Sequence, residues 1–225
     1  MNTFDEKLIS WFRYLYWAEI CYTKYEELLN SAENPDDIPI HKFIAFSSQW
    51  YASLYVVIEG WQELEIQDNF INRILADHQK LINILRRYRN CIYHFQKNLI
   101  DKRFIDLAKT RDIFQLWIFL VHEQFKRYYS DYLANLPGNK ILKLELIKSF
   151  EDLVGWIPTD SVKDRFRNLE DLLKRSESLL NKGNLSTKEA KEFQQAIDQA
   201  RMILNNTKSK YQKYLKNSIR YLKVN

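Results

Sequence analysis

Ile113-Phe114-Gln115-Leu116-Trp117-Ile118-Phe119-Leu120-Val121 has no polar side: Gln115 alone interrupts it, and no period of two or of 3.6 sets one face apart. A helix that is apolar all round belongs in the middle of a bundle. The segment from Asp112 to Leu136 is therefore expected to be the most buried element of an all-α protein. Composition points the same way, because 4 Gly and 4 Pro in 225 residues cannot punctuate the many short strands of a sandwich or barrel.

Working outward, Leu81, Leu85, Tyr88, Ile92, Phe95 and Leu99 step by four and three and predict a helical stripe over residues 81–99. Asp68 and Asn69 offer a cap for the helical segment that leads into this stripe, and Asp77-His78 is a candidate break. Trp50, Leu54, Val57, Trp61 and Leu64 make a second stripe, from about His41 to Leu64. The aromatic-rich segment 4–30 is a third helix, closed by Ser31-Ala32-Glu33-Asn34-Pro35-Asp36-Asp37. On the other side, Pro137-Gly138 ends the apolar helix, and a short segment runs to Gly155-Trp156-Ile157-Pro158. Beyond it Val162, Phe166, Leu169 and Leu173 predict one helix. Gly183-Asn184 separates it from another, opened by Ser186 and Glu189 in capping-box spacing. The expected organisation is a bundle over 1–136, a connecting segment over 137–158 and a helical hairpin over 159–225.

The chain is 46% hydrophobic, enough for one main core with length left for an appendage. Cys21 and Cys91 are its only cysteines, so neither a disulfide framework nor a thiolate metal site is expected. No apolar run approaches the roughly 18 residues of a membrane span, and Asp5 and Glu6 precede the first apolar residues of the helix. A soluble, cytoplasmic protein is the expectation. His122-Glu123 lacks a second histidine four residues away, and there is neither a glycine-rich phosphate loop nor a Gly-x-Ser-x-Gly elbow. No metal and no cofactor are expected. Net charge is +5, with acids gathered in the first forty residues. After Asp198 come Arg201, Lys208, Lys210, Lys213, Lys216, Arg220 and Lys223, with Tyr211, Tyr214 and Tyr221 between them and no acid. Such a tail suits phosphate attraction with base stacking, as well as a plain solvated helix face.

On an ideal wheel with the 81–99 stripe at zero, Arg89 falls at about 80°, Tyr93 at about 120°, Asn90 at about 180° and His94 at about 220°. Arg86 and Lys97 share that sector, with Arg87 beside them, and no acid of this segment falls among them. Guanidinium, amide, phenol and imidazole on one acid-free face make a candidate phosphate site. Arg89 and His94 stand about 140° and about 7.5 Å apart on an ideal helix. They converge if the arginine curls over, if the helix bends, or if two copies of the segment face each other. Glu59 lies opposite the Trp50, Leu54, Val57, Trp61 stripe, in line with Ser48, Ala52 and Tyr55. That face is small and nearly uncharged and should pack against something, which would let Glu59 orient His94 or Arg89 as well as sit exposed. Cys91 falls toward the apolar flank and reads as a small hydrophobe.

The run Arg89-Asn90-Cys91-Ile92-Tyr93-His94 resembles the motif of the HEPN superfamily, an arginine, commonly a polar residue after it, and a histidine four to six residues further on. The resemblance spans roughly residues 1–136. It implies a four- or five-helix up-and-down bundle, a homodimer with a composite cleft, and metal-independent endoribonuclease activity, often in toxin, abortive-infection or CRISPR-linked antiviral defence settings. RNA would be the substrate, and an antitoxin or other regulatory protein a partner. Some HEPN toxins paired with a nucleotidyltransferase antitoxin carry Tyr two residues after the histidine; Gln96 stands there in this chain. On this reading Arg89 and His94 are catalytic and Asn90, Tyr93 and Glu59 supporting, while Arg86, Arg87, Lys97, Lys210, Lys213, Lys216 and Arg220 hold RNA. The same residues also fit a non-catalytic HEPN-like module that binds RNA, a nucleotide or a partner protein. A helical scaffold in which Arg89 and His94 are incidental fits them too.

Overall fold

The computed structural model describes residues 4–31, 39–97 and 101–157, and separate positions between 170 and 205. The protein is all-α, and the described residues contain no strand. Among the described residues seven helices follow one another before Pro158: α1 (Glu6–Ser31), α2 (Ile40–Glu63), α3 (Asn69–Asp77), α4 (Gln79–Tyr93), α5 (Lys102–Ala108), α6 (Arg111–Ala134) and α7 (Lys140–Val154). Their stops follow local chemistry. The Asp68 carboxylate accepts from the amides of Phe70 and Ile71 and so caps α3, as expected. α3 and α4 part at His78, where the break was expected. Gly155 ends α7 at φ 86°, a left-handed cap that favours glycine.

Two compact units divide the chain, one of residues 1–110 with 124–158, the other of 111–123 with 159–225. The first is a bundle in which α1 lies along α2, α2 along α4, and α7 against α1. Its centre is aromatic. Phe12 stacks on Tyr129 at 4.1 Å, and the rings of Trp11 and Trp61 both meet Phe125. Trp11 also donates to the Val57 carbonyl at 2.8 Å, an approach open only because the next turn of α2 carries Gly60. A Cβ on Gly60 would stand 2.7 Å from Trp11 Cδ1. Trp50, Trp61 and Trp117, expected in the core, are all buried.

The second unit contains the apolar stretch 113–121, in which Phe114, Leu116, Trp117, Ile118, Phe119, Leu120 and Val121 are all buried. In the same unit Leu173, Phe193, Ala196, Ile197 and Ala200 are buried, and 193–198 is helical. Val162, Phe166, Leu169, Gly183-Asn184 and the Ser186 and Glu189 pair lie outside the described residues. The chain passes between the units at 110/111, at 123/124 inside α6, and at 158/159, whereas the spacing of breaks in the sequence puts boundaries at 136/137 and 158/159.

One sequence expectation needs correction, and two helices had none. The 137–158 connection contains a 15-residue helix, α7, whose Phe150 is fully buried against Phe12 and Tyr129. The short helix α5 had no stripe to announce it, and none of its residues is buried. Finally, the helix expected over 81–99 ends at Tyr93. His94 is its C-cap in an extended conformation (φ −120°, ψ 137°), and Phe95, expected on the apolar stripe, is 93% exposed. The angles used above to separate Arg89 from His94 therefore do not apply.

Candidate functional site on helix α4

The small, uncharged face of α2 does pack, and α4 is what it packs on. Ser48 and Tyr88 share a buried hydrogen bond of 2.7 Å, Ala52 is fully buried, and Tyr55 lies under Arg89 with the guanidinium carbon 5.0 Å from the ring centroid. This seam delivers Glu59 to Arg89. Arg89 Nη2 donates to Glu59 Oε2 at 3.0 Å and Nη1 to Asn90 Oδ1 at 3.1 Å. Cation, carboxylate, amide and aromatic face thus fix one planar group in position.

Arg89 is neither sunk nor free, with a side chain 27% exposed against 48% for Glu59. Its Nε is buried and unbonded. Because a guanidinium carries five N–H groups, each terminal nitrogen keeps a second one for a ligand. Burial and the Glu59 carboxylate push the Tyr55 phenol above its ordinary value, against the opposing pull of Arg86 and Arg89. Tyr55 is therefore neutral at physiological pH and serves as a platform.

The other predicted residues are placed as follows. Tyr93, half exposed, donates its hydroxyl to Gln49 of α2 at 3.1 Å. His94 is exposed, and among the described residues no hydrogen bond joins its ring to Arg89 or Glu59. Arg87 pairs with Asp106 of α5 at 3.0 Å, so neighbouring helices bring acids to a face that carries none of its own. Arg86 and Lys97 are exposed and have no ion-pair partner among the described residues. Lys210, Lys213, Lys216 and Arg220 lie outside the described residues. Arg86, Arg89, Asn90 and Tyr93 are thus presented on α4, with His94 and Lys97 following its end.

Arg103, to which nothing in the sequence pointed, and Gln96 complete the site. Gln96 donates to the carbonyls of Cys91 and His94 and accepts from Arg103, which Asp101 grips through both carboxylate oxygens at 2.7 and 3.0 Å. Arg103 holds the Asp101 carboxyl well below the usual carboxylate range. Burial pushes the Cys91 thiol up, which suits the small hydrophobe expected there. Tyr55 had one signal in the sequence, its place one turn before Glu59 on the same face; Gln96 had only its place two residues after His94, and Arg103 had none. No cluster of three or more potential metal ligands occurs among the described residues, and no helix among them is long and apolar enough to cross a membrane. Comparison of the chain with family models, with curated proteins and with solved structures gave no match.

Proposed function

We propose that this protein is a metal-independent endoribonuclease of HEPN type that works as a cytoplasmic homodimer, in a toxin or antiviral-defence setting where an antitoxin or regulatory protein restrains it. One observation carries the reading: Arg89 is held by Glu59, Asn90 and Tyr55 with N–H groups to spare, and an exposed histidine stands at the end of the same helix. A fixed guanidinium suits a phosphate whose charge grows during reaction. An exposed imidazole suits proton transfer near neutral pH. In the proposed step the ribose 2′-oxygen loses its proton to an imidazole and attacks the adjacent phosphorus. The bond to the 5′-oxygen then breaks, and that oxygen takes up a proton. The products are a 2′,3′-cyclic phosphate and a 5′-hydroxyl, so no water or metal is consumed. Two copies facing each other would bring Arg89 of one and His94 of the other to a composite cleft. Arg86 and Lys97 would hold the backbone of the RNA, with the basic tail as a further contact.

The Glu59 ion pair favours a second reading, a HEPN-like module that binds RNA, a nucleotide or a partner without cutting, because a paired guanidinium contributes less net charge. Incubating the purified protein with mixed RNA, with and without EDTA, separates the two. Cleavage that survives EDTA, leaves cyclic-phosphate ends and vanishes in His94→Ala is the expected result. Retarded but intact RNA would replace the first reading with the second.

A further inference from the structure

α4 stops without glycine or proline, at Tyr93. The last carbonyls of a helix need donors from elsewhere, and Gln96 is one, reaching Cys91 O at 3.2 Å. The same amide nitrogen also donates to His94 O, so one side chain holds both the last turn and the extended residue that follows it. Gln96 is itself held, since its oxygen accepts from Arg103 Nη2. Asp101 fixes Arg103 twice, gripping the guanidinium and accepting its main-chain amide at 2.8 Å as the N-cap of α5. Arg87 to Asp106 ties α5 to α4 a second time, and Phe104 sets its ring edge-on to Tyr88.

We infer that Gln96 and Arg103 are positioning residues for His94, acting in series to hold its main chain off the end of α4 so that the imidazole is presented in one place. The inference rests on the ribonuclease reading above. An unbraced extended residue after a helix samples many conformations, and loss of alignment at a reacting group costs on the order of a hundredfold in rate.

The test is steady-state cleavage of a short single-stranded RNA by the full-length protein. Gln96→Ala and Arg103→Ala should each lower kcat about tenfold to hundredfold with KM and the unfolding midpoint unchanged. The double variant should lose no more than the worse single one, because the two act along one line. Gln96→Glu keeps the length and the Arg103 contact but removes the donor, and should behave like Gln96→Ala; it also guards against a packing defect. Arg103→Lys should recover part of the rate. Wild-type kcat in Gln96→Ala and Gln96→Glu, or losses that multiply in the double variant, would overturn the proposal while leaving the ribonuclease reading intact. A wild-type protein that leaves RNA uncut overturns that reading, and the positioning role with it.

Discussion

Arg89 and Glu59 meet across thirty residues of sequence, and what each does is set by the other. With Glu59 in place the guanidinium is aimed but its charge is offset; without it the charge is released and the aim lost. Glu59→Gln should therefore tighten RNA binding while lowering kcat about tenfold, a sign difference that simple charge loss cannot produce. Binding by filter retention and cleavage on the same RNA measure the two. Arg89→Lys tests the planar group itself. A lysine keeps the charge but offers no parallel pair of N–H donors, so activity should fall about a hundredfold or more with RNA affinity nearly preserved. His94→Ala should abolish cleavage and move stability by no more than about 0.5 kcal/mol, as for an exposed side chain outside the core; a loss of the size of a core deletion would make His94 structural.

At the scale of elements, what could be read in the sequence follows how local each cause is. The Asp68 cap, the break at His78 and the wheel faces of α2 depend on neighbours within a turn, and they stand where spacing put them. The end of α4 does not. Phe95 continues the four-three rhythm of Leu81, Leu85, Tyr88 and Ile92, yet the helix ends before it, where a side-chain cap held from α5 meets its last turn. No spacing rule contains that contact, so apolar rhythm placed an exposed phenylalanine in the core. Asp68 offers a test at this scale. Burial pushes its carboxyl up, but the Arg127 contact at 2.7 Å and the amides of Ile71 and Phe70 outweigh burial and hold it below its ordinary 3.8. A carboxyl lowered in the folded state adds stability that is present above its unfolded value and disappears as pH falls through the folded one. Asp68→Ala should cost about 1–2 kcal/mol near neutrality through loss of the cap, with Asp68→Asn milder because its side chain still caps. Urea titrations across pH should show the gap between wild type and either variant closing in acid below about pH 4; a gap independent of pH would deny Asp68 the ion pair.

On the scale of the whole molecule, the 159–225 segment had been expected as an appendage, but it shares a compact unit with residues 111–123, the most apolar part of the chain. Cutting it away is thus a poor way to ask what its charges do, because buried Phe193, Ala196 and Ile197 would go with them. Neutralising Lys210, Lys213, Lys216 and Arg220 to Gln leaves the apolar positions in place. If these four groups contact RNA phosphates, each contact removed returns its counterions to the free nucleic acid. The slope of log affinity against log salt should then flatten by about 0.7 per contact for single-stranded RNA, roughly 3 in all. kcat on a short substrate should hold, because the proposed reacting groups are on and after α4. Binding measured over a salt series for both proteins, after sedimentation has shown equal oligomeric states, decides the matter. An unchanged slope would leave the tail's charges without a role in RNA binding, and a shift from dimer to monomer would assign them to the contact between copies.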